Sequence, residues 1–118
     1  MSKTFCPLLF QHLATHPDGG VTHCCIAEHR NALSSAKDGE NQYYNLNRDS
    51  VASIMNSESF RNARLEVLNG KKPKACLRCY SEEAKGMQSK RLEEIKNYPD
   101  YTLNVAKKAV DNEGYLLD

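Results

Sequence analysis

Four of the five cysteines in this chain are spaced in a way that could hold a metal centre. The segment Cys76-Leu77-Arg78-Cys79 is a Cys-x-x-Cys motif, in which two thiolates on one tight turn can bind the same centre. Cys6 and Cys24 lie on either side of a turn signal at residues 17–20, so a hairpin would bring them together. The spacing therefore predicts one metal or iron–sulfur site, whose ligands are Cys6, Cys24, Cys76 and Cys79.

The composition predicts a domain with a small hydrophobic core. Of the 118 residues, 40% are hydrophobic and 8% are aromatic, and there is no tryptophan. The mean hydropathy is −0.67. A chain this polar has little apolar surface to bury, so a bound metal would contribute usefully to its stability.

Charge and hydropathy argue against several functional classes. A net charge of +1 gives no strong signal for nucleic acid or for an anionic membrane. No apolar run approaches the ~20 residues of a transmembrane helix, and the first ten residues are too interrupted for a secretory signal. We therefore expect a reducing, cytoplasmic compartment, in which cysteines serve as ligands rather than in disulfides.

Periodicity and turn signals predict an α+β fold, in which a small β-hairpin and several helices are organised around the four-cysteine site. Residues 8–15 and 21–25 alternate loosely, which predicts the two strands of the hairpin. Residues 43–46 are expected to be extended as well. The predicted helices span residues 32–36, 51–55, 58–68, 81–97 and 101–110.

Local signals set the ends of these helices. Asp49 or Ser50 can cap the helix at 51–55, and Asn69-Gly70 ends the helix at 58–68. Gly86 weakens the charged helix at 81–97, whose run of charges is typical of a face in contact with solvent.

Taken in order, these residues resemble the SPASM/twitch domain, an auxiliary iron–sulfur module of radical S-adenosylmethionine proteins. The resemblance covers about residues 5–90 and rests on the order of the motifs as well as on the cysteines. The matching segments are Phe5-Cys6-x-Leu8-x-Phe10-x-His12-Leu13, Pro17-Asp18-Gly19-x-Val21-x-x-Cys24-Cys25, Arg64-x-x-x-Leu68-x-Gly70 and Lys72-Pro73-Lys74-x-Cys76-x-x-Cys79-Tyr80-x-x-Glu83.

The resemblance implies that residues 1–98 form a twitch-like domain that binds one 4Fe–4S cluster through Cys6, Cys24, Cys76 and Cys79. Such a module would support a radical S-adenosylmethionine enzyme by electron transfer or by positioning a substrate, either a peptide or a small molecule. The catalytic core would be supplied in cis or in trans. Residues 99–118 would then form a C-terminal helix and a linker toward that core.

The sequence departs from the family pattern at three points. Leu9 and Phe10 stand where relatives often carry Pro-Trp. No cysteine follows Cys79, which is typical of the shorter twitch version with one cluster. The Cys-x-x-x-Cys-x-x-Cys motif that holds the radical-generating cluster is absent from these 118 residues, so we expect no radical generation by the chain alone.

Two alternatives to this ligand set and cofactor stay open. Cys25 could ligate in place of Cys24, because neighbouring residues in a strand point to opposite faces, although the spacing from Gly19 favours Cys24. Zinc could replace the cluster in a small zinc-stapled interaction domain without a redox role, since four cysteines suit it equally well. The interval between Cys24 and Cys76 is longer than in a usual zinc ribbon, which favours the cluster.

Each of these features also has an ordinary structural interpretation. Free cysteines are often small buried hydrophobes, and a histidine in a strand or loop is more often structural than a ligand. The histidines that could replace a cysteine are His12, His16, His23 and His29. The cations flanking the second ligand pair, which could raise a cluster's potential or simply line a solvated loop, are Lys71, Lys72, Lys74 and Arg78.

Overall fold

The computed structural model describes residues 2–24, 35–39 and 42–117. The fold is α+β, as the sequence predicts, and combines two antiparallel two-stranded hairpins with helices. The strands are β1 (Ala14–Thr15), β2 (Val21–Thr22), β3 (Lys37–Asp38) and β4 (Gln42–Tyr43). The helices are α1 (Leu8–Gln11), α2 (Val51–Met55), α3 (Glu58–Leu68), α4 (Leu77–Ala84), α5 (Lys90–Asn97) and α6 (Leu103–Lys108).

The predicted first hairpin forms, but it is shorter than expected. β1 pairs with β2, with Ala14 opposite Thr22. The prediction of a strand over residues 8–15 is wrong in its first half, where Leu8–Gln11 forms α1. Pro7 has φ −64°, a value that favours the start of a helix. Three consecutive apolar residues follow it and all are buried, whereas a strand with one buried face would bury every second residue.

The second hairpin corrects another expectation. Within the predicted helix at 32–36, Ser35 and Ala36 are extended, and residues 32–34 lie outside the described residues. Ser35 forms a β-bridge with Thr22, and the N–H of Ala36 donates to the carbonyl of Val21 over 2.8 Å. These contacts join the second hairpin to the edge of β2.

The helices α2 and α3 have the bounds that the sequence predicts. Ser50 caps α2, because its side chain accepts a hydrogen bond from the N–H of Ser53. α3 ends at Leu68, and Gly70 follows with φ +75°. Between these ends, α3 buries Phe60, Ala63, Arg64 and Val67 along one side.

The prediction of one helix over residues 81–97 is wrong. α4 already begins at Leu77 and ends at Ala84, and α5 begins only at Lys90. Ser89 caps α5 by accepting a hydrogen bond from the N–H of Leu92 over 3.1 Å. Gly86, which was expected only to weaken the helix, therefore lies in the non-helical segment between α4 and α5. α6 is likewise shorter than the predicted helix at 101–110.

The apolar core has two clusters that α3 connects. Ala63 and Val67 pack in the first, together with residues near the N-terminus and with Ala106 of α6, which is 0% exposed. Phe60 packs in the second, which contains β2 and α2 residues. Because Ala106 is part of the first cluster, α6 is packed onto the rest of the chain. None of the helices in the described ranges has the length and apolar character needed to span a bilayer.

Candidate metal centre

Three separate parts of the chain supply the four predicted ligands. Cys6 precedes α1, and Cys24 follows β2. Cys76 is the last residue of a 3₁₀ turn, Lys74–Cys76, and Cys79 lies in the first turn of α4. Since residues three apart on a helical segment share a side, Cys76 and Cys79 can present both thiols to the same space.

All four cysteines line one cavity beneath α1 and against the start of α5. Among residues 2–24, 35–39 and 42–117, no three His, Cys, Asp or Glu side chains are placed to hold one metal ion. The other lining residues are Leu8, Leu9, His23, Ala75, Arg78, Tyr80, Lys90 and Arg91.

Burial, with a contribution from the neighbouring cysteines, keeps the thiols of Cys6 and Cys76 protonated. Burial raises the pKa of the Cys6 thiol to about 12; the backbone N–H of Leu8 opposes this rise, and the charges of Cys24 and Cys79 add to it. Burial also raises the pKa of Cys76, and the charges of the three other cysteines raise it further. Cys76 is therefore close enough to the three other cysteines for their charges to affect its pKa.

The chemistry of this donor set fits a thiophilic metal centre. Thiolates are the ligands that iron–sulfur clusters and zinc prefer, and four of them complete the coordination of either. A bound cationic centre would displace the thiol protons and remove the repulsion between the sulfurs. The residues present are therefore suited to hold a cluster or a metal ion.

Arg91 is the buried cation of the site. It is 4% exposed, and its Nε donates to a carboxylate oxygen of Glu83 over 2.9 Å. Its Nη1 donates to the carbonyl of Phe5, also over 2.9 Å. The hydroxyl of Tyr80 donates to the carbonyl of Thr4 over 2.9 Å. Both α4 and α5 are thereby tied to the backbone that carries the first cysteine.

The position of Arg91 corrects the sequence analysis. The charged run at 81–97 was expected to face solvent, but Arg91 and Glu94 are buried. Of the four cations predicted to flank the second ligand pair, Arg78 lines the cavity and the three lysines do not. Ser89 could have shown that a new helix begins here, because serine is a preferred N-cap, but no signal in the sequence indicates that Arg91 faces inward.

The histidines also differ in a way the sequence did not reveal. His23 lines the cavity, whereas His12 and His16 do not. Nε2 of His23 lies 3.4 Å from the Cys76 sulfur. His29 and Cys25, the alternative to Cys24, lie outside the described residues.

One of the comparisons with known proteins identifies the family of the chain. The family model of the SPASM iron–sulfur cluster-binding domain matches residues 6–80, a span that begins at the first predicted ligand and ends just past the last. The chain therefore belongs to the SPASM iron–sulfur cluster-binding domain family. No curated protein and no solved structure matches the chain.

Proposed function

We propose that this chain is an auxiliary iron–sulfur module that binds one 4Fe–4S cluster through Cys6, Cys24, Cys76 and Cys79. The observation that carries the proposal is that these four residues, which come from three distant segments, all line one cavity in a member of the SPASM family. Each iron of such a cluster takes one thiolate, so four cysteines would leave no iron open to a substrate.

A cluster with complete protein ligation can pass electrons or hold neighbouring elements in place, but it has no vacant site at which to bind a substrate. The module would therefore support a separate radical S-adenosylmethionine core, present in cis or in trans. That core would act on a peptide or a small molecule. The family membership and the presence of four cysteines around one cavity support this role.

Anaerobic reconstitution with iron and sulfide tests the proposal. We expect about four irons and four sulfides per chain, brown colour from charge-transfer bands, and an electron paramagnetic resonance signal after reduction. A colourless protein that instead holds one zinc ion would establish the zinc-stapled alternative and overturn the cluster.

Single substitutions test the ligand set. Cys76→Ala should lower the iron content, because one iron loses its thiolate, whereas Cys25→Ser should leave it unchanged. Cys24→Ser and Cys25→Ser form a matched pair of neighbouring changes that decides between the two possible ligands. Unchanged iron content in Cys76→Ala would show that the assignment of the second pair is wrong.

A further inference from the structure

A buried imidazole lies directly against one of the four sulfurs. Nε2 of His23 is 3.4 Å from Sγ of Cys76, although 53 residues separate them in the chain. His23 is only 4% exposed. Its ring meets the ring of Phe60 edge-on, with 6.2 Å between the centroids and 89° between the planes. The imidazole is therefore held between the second apolar cluster and the cysteine cavity.

The backbone that carries His23 is fixed on both sides. Thr22, which precedes it, is 0% exposed and lies in both β2 and the bridge to Ser35. The hydroxyl of Thr22 donates to the carbonyl of Cys24 over 3.0 Å. The backbone at His23 is thus held in place, and the ring itself is buried against Phe60, so it has little freedom to turn away from Cys76.

We propose that His23 is a positioning residue for the cluster: its Nε2–H donates a hydrogen bond to the Cys76 sulfur. This inference rests on the proposed cluster. A metal-bound thiolate has no proton, so it can only accept a hydrogen bond, and the imidazole nitrogen facing it must be the donor. Such a bond orients the ligand and withdraws electron density from the sulfur.

The consequence concerns the reduction potential. Reduction adds negative charge to a cluster that already carries four thiolates, and a hydrogen bond to a sulfur stabilises the more negative state. His23 therefore raises the midpoint potential. Substitution of His23 distinguishes a hydrogen-bond donor from a ligand, because a donor can be removed without loss of iron from the cluster.

The experiment compares His23→Leu with His23→Gln in the reconstituted protein, with iron content and midpoint potential measured on each. We expect His23→Leu to keep its iron and to lower the equilibrium constant for reduction about tenfold, which is ~59 mV for one electron. His23→Gln keeps an N–H group and should retain most of the potential. His12→Leu is the control, because it also removes an imidazole but does not line the cavity.

The outcomes separate this inference from the proposed function. A wild-type protein that takes up no cluster overturns both. An intact wild-type cluster with unchanged potential in His23→Leu overturns the hydrogen bond alone. A third outcome would show that His23 is a ligand and not a hydrogen-bond donor. In that case both His23 variants lose iron, and pulsed electron paramagnetic resonance of the wild type shows the coupling of a nitrogen bound directly to iron.

Discussion

Nε of Arg64, in α3, donates a hydrogen bond to the carbonyl oxygen of Gly114. The two atoms are 3.0 Å apart, although 50 residues separate Arg64 from Gly114 in the sequence. The same guanidinium donates to the carbonyls of Leu9, over 3.2 Å, and of Met55. Arg64 is 0% exposed, and burial lowers its pKa to about 10, so it stays charged at neutral pH. One buried cation thus ties α1, the end of α2 and the C-terminal segment to α3.

Removal of this cation should weaken the whole domain. Arg64→Leu leaves three buried carbonyl oxygens without their donor, and we expect the free energy of unfolding to fall by about 3 kcal/mol. Denaturant titration measures it. Arg48→Leu is the control, since the side chain of Arg48 is 66% exposed and its loss should cost less than about 0.5 kcal/mol. Equal costs for the two variants would contradict the role of Arg64.

Gly114 should tolerate no side chain. Its φ is +84°, and a Cβ would lie 2.7 Å from the backbone oxygen of Arg61. Gly70 has a similar φ of +75° but open space around it. Gly70→Ala should therefore cost about 1 kcal/mol from backbone strain alone, whereas Gly114→Ala should cost at least about 2 kcal/mol. Thermal unfolding of the two variants compares the steric contribution directly, and equal midpoints would show that the C-terminal segment yields to the added methyl group.

The ion pair of Glu83 with Arg91 should make stability depend on pH. Burial alone would raise the pKa of Glu83, but hydrogen bonds from Arg91 and Ser89 outweigh it, so the pKa lies below its ordinary value of 4.5. A lowered pKa means that the stabilisation is fully present above about pH 4.5 and is lost as the pH falls through the folded-state value.

Glu83→Gln should therefore lower the free energy of unfolding by about 2 kcal/mol at pH 7. The difference in this free energy between the variant and the wild type should disappear in acid. Glu82→Gln is the matched control, because Glu82 pairs with the exposed Arg78 at 3.8 Å and such pairs contribute little. Unfolding curves at pH 7, 4, 3 and 2 provide the comparison, because the folded-state pKa lies below 4.5. If the difference in unfolding free energy did not change with pH, the ionised carboxylate of Glu83 would not be the source of the stabilisation.

Loss of the cluster should remove cooperative unfolding. Cys6, Cys24 and the pair Cys76–Cys79 come from three segments, so a shared centre would cross-link them. Without it, the thiols would be left together in a domain with a small core. We expect chelation under anaerobic conditions to broaden the thermal transition and lower its midpoint. An equally sharp transition at the same temperature after iron removal would refute this coupling between cluster and fold.

The chain alone should not cleave S-adenosylmethionine. Reductive cleavage requires a cluster with one iron free of protein ligands, and the chain has no Cys-x-x-x-Cys-x-x-Cys motif to supply it. Anaerobic incubation with dithionite and S-adenosylmethionine checks this. We expect no 5′-deoxyadenosine beyond the level of a cluster-free control. Catalytic turnover would mean that the ligand assignment is wrong and that one iron is open.

The sequence by itself determined the features that depend on local chemistry. The turn at residues 17–20, the Ser50 cap of α2 and the end of α3 at Asn69 follow from side chains that act on their own backbone within a few residues. The Cys-x-x-Cys motif likewise brings two thiols close without help from the rest of the fold. The order of the five cysteines and the surrounding motifs was sufficient to predict the family.

Local patterns failed where burial decided the structure. The loose alternation over residues 8–15 predicts a strand, yet residues 8–11 form α1. Its three consecutive apolar side chains are all buried, Leu8 beside Cys24 and Leu9 and Phe10 in the first apolar cluster. The charged run after Cys79 suggests one exposed helix, but the chain breaks at residues 85–89 so that Arg91 can turn inward to Glu83 and to the carbonyl of Phe5.

Only the tertiary structure decided which polar residues belong to the site. His12, His16 and His23 are equivalent in the sequence, and β2 with its bridge to Ser35 places His23 alone of the three against Cys76. Three of the acceptors of Arg64 are backbone carbonyls outside its own helix, at Leu9, Met55 and Gly114. Every residue has a backbone carbonyl, so no sequence pattern shows which carbonyls will accept a hydrogen bond from a buried side chain. That depends on which carbonyls the fold buries beside the donor.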